Sequence, residues 1–345
     1  MARPANVVAV VAAVAMVGCA HARAPGPAAP APASGDDLTA AALPYAVLEA
    51  RGGREVEPAA FFAALSGAAA VCLGEKHPSP HHHWAQREIL DHLAAAGHRP
   101  MALGLEMVQR PFQGVLDDYT AGRITEAEFL ARSGWHERWG FDFGLYRPIL
   151  ALATDRGLAV IALNAERDLV HAVSTEGLDG LSAAQRAQLP ELDLKDAAHR
   201  AWFAALMADM GGAGCHAAGD GPHGDCDPDS PEARAQADRF YTAQVVWDET
   251  MAESAARWLA AHPGGQMVIL AGNGHCVTGA IPRRLERRQK GQVISVRIVV
   301  DTGDGEIAAH LADPHNDYLW VMRAAPPPPH DHPAPRQPAQ PDDGP

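Results

Sequence analysis

The chain has 345 residues, with 42 acidic against 28 basic side chains and a net charge of −14. That balance repels a polyanion and excludes nucleic acid as a natural partner. Hydrophobic residues make up 47%, enough for a packed core, yet beyond the first 18 residues no apolar run is long enough to cross a membrane as a helix.

The first predicted element is a targeting segment. Arg3 precedes an apolar run, Val7 to Val17, closed by Gly18 and Cys19. A charged start, a short apolar stretch and small residues at its end predict a signal peptide over residues 1–18. The ending Met16-Val17-Gly18-Cys19 has the form of a lipobox. Cys19 is therefore expected to carry lipid and to hold the chain at the cell envelope, on the periplasmic face or at the outer membrane. An ordinary signal peptide with a chance cysteine is the plainer alternative. Residues 19–36 are mostly Ala, Pro and Gly, a tether reaching on the order of 3 Å per residue where proline dominates. Residues 37–323 are expected to fold, and 324–345 read as a Pro-rich tail whose His330 and His332 are polar decoration.

Six short runs within the folded part predict strands: 70–73, 102–105, 158–163, 267–270, 293–300 and 318–322. Most are continuously apolar, the pattern of strands buried on both faces of a parallel sheet. Helices are predicted between them. Residues 82–96 place Ile89, Leu90 and Leu93 at helical spacing, and 149–156 lead into the third run. Thr125, with Glu126 and Glu128 behind it, marks a helix start. Residues 240–259 align Phe240, Gln244, Trp247, Met251, Ala255 and Trp258 in one stripe, read as core packing. Asp248 and Glu249 beside it read as a solvated helix face. Residues 177–236 lack strand patterns and are expected to form a helical insertion. The fold class is thus α/β: three layers, a mainly parallel sheet flanked by helices, with that insertion.

Of the remaining cysteines, Cys72 lies in an apolar strand and reads as a small buried hydrophobe. Cys276 follows a histidine in a glycine-rich loop. Cys215 and Cys226 bracket a short loop and are expected to pair in an oxidising compartment.

In open α/β sheets, sites form beyond the carboxyl ends of the strands. Here those ends read Gly74-Glu75-Lys76-His77, Leu105-Glu106, Asn164 and Gly272-Asn273-Gly274-His275. Four polar strand ends on one edge point to a site. Two share the pattern Gly-x-x-His, in which glycine permits close approach and histidine supplies a nitrogen for protons or metal. His77 is read as functional. For His81 and His82 a capping role stands level with a functional one. Arg110 could clamp an anion or pair with a local carboxylate. Tyr146 could bind ferric iron as tyrosinate or be a packed aromatic.

Taken together, Leu73-Gly-Glu-Lys-His77, Leu105-Glu-Met107, Gln109-Arg-Pro111, Trp139-Gly-Phe-Asp142, Tyr146-Arg-Pro148, Ala162-Leu-Asn164, Asp248-Glu-Thr-Met251 and Ala271-Gly-Asn-Gly-His275 resemble the ChaN-type haem-binding lipoproteins. These are grouped with the Tiki metalloproteases and the erythromycin esterases. The resemblance spans roughly residues 45–300. It implies a lipid-anchored protein of iron acquisition, with non-covalent haem as cofactor, a tyrosine and a histidine near the iron, and a homodimer enclosing two cofacial haems. Tyr146 is one candidate ligand; His81, His82, Arg110 and Asn164 would line the haem; His216 and His223 of the cysteine-bracketed loop are others. The resemblance to the Tiki group implies instead a metal-dependent hydrolase. His77, His275 and Glu75 would then hold a divalent metal ion, with Glu75 or Glu106 as ligand or general base. A third reading is an envelope protein whose site has lost its activity.

Overall fold

The structure, a computed structural model, describes residues 43–97, 99–209 and 230–323. Signal segment, Cys19, tether, the Cys215–Cys226 loop with His216 and His223, and the tail lie outside the described residues.

Strands β1 (Tyr45–Glu49), β2 (Glu55–Val56), β3 (Ala70–Glu75), β4 (Met101–Gln109), β5 (Ala159–Asn164), β6 (Gln266–Gly272), β7 (Val293–Asp301) and β8 (Tyr318–Arg323) form one sheet. Its order is β2-β1-β8-β7-β3-β6-β4-β5. All pairs from β8 to β5 are parallel; β1 joins β8 and β2 antiparallel. All six predicted strands are present. The antiparallel edge was not predicted: β2 is only two residues long, and β1 is half-buried without an alternating pattern.

Among the described residues twelve α-helices surround the sheet: α1 (Pro58–Gly67), α2 (Pro80–Ala95), α3 (Gln113–Thr120), α4 (Glu126–Ser133), α5 (Trp135–Arg138), α6 (Arg147–Asp155), α7 (Arg167–Gly180), α8 (Ala183–Arg186), α9 (Ala197–Asp209), α10 (Pro231–Ala261), α11 (Ile281–Glu286) and α12 (Glu306–Ala312). The Thr125 start is a capping box. Thr125 Oγ1 accepts from Glu128 N at 3.3 Å, and Glu128 Oε2 accepts from Thr125 N at 2.7 Å.

Alternation along β3 explains the three layers. Val71 and Leu73 pack with Phe61, Ile89, Leu90 and Ile149 of α1, α2 and α6. Ala70 and Cys72 point the other way, against Met251 and Ala255 of α10 and Leu285 of α11. Both faces are covered, so the strands read as unbroken apolar runs. At the β5 edge, the Gln113 side chain takes the place of a ninth strand. Its Nε2 donates to Val160 O at 2.9 Å and its Oε1 accepts from Ala162 N at 2.7 Å. An open edge is thereby closed to another chain.

The expectation for Cys72 is corrected here. It is buried, but joined to Cys276 by a disulfide across 204 residues, with Cα atoms 5.4 Å apart. Cys276 lies just past the end of β6, beside β3, so the side chain that fills the layer also reaches its partner. A linear reading offers no signal for that adjacency.

Candidate functional site

Strands β3, β6, β4 and β5 are consecutive neighbours in the sheet, and all run the same way. Their carboxyl ends therefore bring Glu75, Gly272, Glu106 and Asn164 to one edge. Glu75, His77 and Glu106 are buried there, and the His275 side chain is 12% exposed.

Glu75 is the hub of the first half-site. Its Oε1 lies 2.8 Å from His77 Nδ1 and accepts from Tyr146 Oη at 2.7 Å. Its Oε2 accepts from Gln86 Nε2 at 2.8 Å and lies 3.6 Å from His83 Nδ1. Burial alone would raise this carboxyl. The His83 ring, then the bonds from His77 and Tyr146, outweigh it and hold the group at about 2. Of the histidine run, His83 is the one that reaches the site, because it shares a helix face with Gln86 three residues on. His82 is buried and accepts from Lys76 N at 3.0 Å, a structural cap; burial and the neighbouring His83 lower it to about 3. His81 is only half-buried.

The Glu75 bond orients the His77 ring. Trp139 and Phe141 flank it, with ring centroids 4.6 and 4.8 Å away. Burial opposes its charged form, but the Glu75 hydrogen bond and charge, with Glu106, raise it above the usual histidine value. Its Nε2 has no hydrogen-bond partner among the described residues. Glycine is required beneath it: a Cβ on Gly272 would lie 2.9 Å from His77 Cε1.

The second half-site is built around His275. Its Nδ1 lies 2.7 Å from Asp248 Oδ1, and its Nε2 lies 3.3 Å from Glu106 Oε1. Glu106 Oε2 accepts from Gly272 N at 2.6 Å. Burial would lower the His275 ring, but Glu106 and the Asp248 bond raise it to about 10. Glu106 in turn is lowered against its burial, chiefly by His275. Half-buried Trp247 lies edge-on to the ring at 6.0 Å.

Other predicted residues have structural partners. Tyr146 is 2% exposed, accepts from Trp139 Nε1 at 3.2 Å and donates to Glu75. Burial and Glu75 push its hydroxyl well above the usual tyrosine value, so it stays protonated. Asn164 donates to Glu106 O at 2.9 Å and accepts from Ala165 N at 2.8 Å, which shapes the strand end. Arg110 donates to Ser254 Oγ at 2.6 Å and pairs with Glu253 at 2.9 Å, tying β4 to α10.

The reading of Asp248 and Glu249 as a solvated face is corrected. Both are fully buried. Asp248 faces the site, and Glu249 is gripped by Arg284, Arg287 and Arg288. A single helix pattern cannot reveal this, because α10 is covered by α11 as well as by the sheet. His83, Gln86 and His199 were also missed; only the spacing of His83 and Gln86 carried a signal.

The donor set does not suit a divalent metal. Among the described residues no group of three or more His, Cys, Asp or Glu side chains could hold one. Both nitrogens of His275 face carboxylates, as does Nδ1 of His77. It suits haem better: His77 Nε2, without a partner among the described residues, could hold the iron, with two aromatic rings beside it.

Fold and site together define an α/β protein of the haem-binding uptake class. The chain belongs to the family "Haem-binding uptake, Tiki superfamily, ChaN", whose model matches residues 61–285. Among solved structures it is similar to ChaN of Campylobacter jejuni, described as showing cofacial haem binding. Identity is 16% over 81% of this chain and 97% of that one, with a TM-score of 0.59, which bears out the fold. An erythromycin esterase variant in its open conformation is 13% identical over 80% of this chain and 82% of its own, with a TM-score of 0.40. No curated protein matches the chain.

Proposed function

We propose that this chain binds haem non-covalently and serves haem or iron uptake or storage at the bacterial cell envelope, held at the membrane by lipid on Cys19. The observation that carries this reading is the open Nε2 of His77, oriented by Glu75 beside Trp139 and Phe141. A histidine whose other nitrogen donates to a carboxylate is fixed in direction and made a stronger ligand. Bound haem would supply the iron centre; the chain would supply a ligating nitrogen from His77 and aromatic side chains beside it. Tyr146 acts in this reading by holding Glu75. Family membership supports the same ligand.

The test is hemin titration of the protein lacking residues 1–19. A saturable Soret shift, lost in His77→Ala and kept in Tyr146→Phe, is expected. A Soret shift unchanged in His77→Ala would overturn the assignment of the ligand, and no shift in the parent would overturn the haem reading. Size-exclusion chromatography with and without hemin reads whether a second copy completes the site.

The geometry also favours a second reading, hydrolysis without metal. His77, backed by Glu75, has the form of a general base, and His275 that of a proton donor across Gly272. Hydrolysis of p-nitrophenyl acetate, lost in His77→Ala, would support it; no turnover above buffer would sink it for that ester.

A further inference from the structure

Behind His275 lies a chain of buried polar groups. Asp248 Oδ1 bonds His275 Nδ1, and Asp248 Oδ2 lies 3.6 Å from His199 Nε2. Gln244 Nε2 is 3.4 Å from both oxygens. His199 comes from α9, a different part of the chain, and is 3% exposed. Its Nδ1 lies 3.2 Å from Arg284 Nη2 and 3.3 Å from Tyr241 Oη.

The wiring follows from the donor inventory. Arginine only donates, so His199 Nδ1 accepts and the ring proton sits on Nε2. That N–H has no hydrogen-bond partner among the described residues; Asp248 Oδ2, 3.6 Å away, is the acceptor it faces. Burial, with the nearby Arg284 cation, disfavours a second proton on His199, whose value is lowered to about 4 even against the pull of Asp248. Asp248 thus accepts from the charged His275 ring and faces the neutral His199 ring just beyond hydrogen-bond distance. Arg284 is itself set by Glu249, 3.4 Å away.

We propose that Asp248 is a positioning residue which, flanked by His199 and Gln244, fixes the ring of His275 so that its protonated Nε2 is aimed at Glu106. The groups facing His275 are Asp248 and Gln244 from α10, Glu106 from β4 and His77 from the loop after β3; His199 acts through Asp248. The inference about the ring needs no bound haem.

Nitrogen-15 histidine spectra of the ligand-free protein at pH 7.5 test it. The doubly protonated pattern is expected for His275 in the parent chain, the neutral pattern in Asp248→Asn, and the parent pattern again in Asp248→Glu. His199→Gln is the second variant, should Asp248→Asn fail to fold; it is expected to give a mixed or neutral pattern. An unchanged His275 pattern in Asp248→Asn or, failing that, in His199→Gln overturns the proposal. Hemin titration supplies a separate arm. Asp248→Asn is expected to weaken binding about tenfold with the Soret maximum unmoved, since His77 is untouched. Absence of hemin binding in the parent would sink the haem reading and leave the spectra to decide this one.

Discussion

Cys72 and Cys276 are joined between the middle of β3 and the residue that follows His275. The bond therefore ties together the two Gly-x-x-His segments, Gly74–His77 and Gly272–His275. The Cys276 carbonyl is held from the other side by Ser295 Oγ and by Asn316 Nδ2 at 3.2 Å. Closing a loop of 204 residues restricts the unfolded chain strongly. The Cys72→Ala/Cys276→Ala protein is expected to lose about 3–5 kcal/mol of stability. Thermal unfolding should show the midpoint falling by roughly 5–15 °C. An unchanged midpoint would remove the disulfide from the account of stability.

Glu75 makes its contribution through His77. Glu75→Gln keeps the shape but replaces a carboxylate that receives His77, Tyr146 and Gln86. Loss of such a partner behind a metal-binding histidine weakens binding about 10–100-fold. Hemin affinity is expected to fall by that factor while circular dichroism stays native. Equal affinity in the two proteins would show that Glu75 does not set the His77 ring.

Gly272→Ala probes how closely His77 packs over β6. The added methyl would lie 2.9 Å from His77 Cε1 and 3.6 Å from Glu106 Oε2. Overpacking of this kind costs about 1–3 kcal/mol, and the His77 ring is the group free to give way. The expected outcome is a folded protein with its hemin spectrum shifted or lost; full binding would mean that His77 has room to spare.

The strands were legible because burial on both faces leaves a plain sequence mark, as in Val71-Cys72-Leu73 and Met267–Leu270. The strand-end rule then led to Glu75, His77, Glu106 and His275 without reference to side-chain packing. Partners that approach from distant helices were not legible. Asp248 lies on a helix whose solvent face is covered by α11, so its polarity looked like exposure. His199 sits in a segment with no strand near it, and only folding brings its ring to Asp248. The three histidines 81–83 looked equivalent in line; the helical turn separates them, and His83 alone meets Glu75.

Glu249 offers a test of buried charge away from the cleft. It is fully buried and meets Arg287 at 2.6 Å, Arg288 at 2.5 Å and Arg284 at 3.4 Å, and it accepts from Asp193 N at 3.0 Å. Glu249→Gln leaves guanidinium groups without their counter-charge, a change that costs about 3–5 kcal/mol when the partner is buried. Urea denaturation should show a midpoint lowered accordingly. A loss below about 1 kcal/mol would mean that the arginines find other partners or water.

Stability should depend on pH on both sides of a maximum, and the signs follow from the buried titratable groups. His275 is raised in the folded protein from the usual 6.5 to about 10. Its contribution is complete below 6.5 and is lost as pH rises towards 10, because the unfolded chain has released a proton that the folded one still holds. His77 is raised too and acts in the same direction. Glu75 is lowered from 4.5 to about 2, so its contribution is present above 4.5 and is lost as pH falls towards 2. His82 and His199, lowered to about 3 and about 4, stay neutral in the folded protein and cost stability as pH falls below 6.5, so unfolding free energy measured by urea is expected to be highest near pH 6.5 and to decline on either side. In His275→Gln the alkaline decline should flatten while the acid limb is kept; in Glu75→Gln the acid limb should become shallower below about 4.5. A His275→Gln protein with the parent's full alkaline slope would show that the charge held between Asp248 and Glu106 is not what the folded state protects.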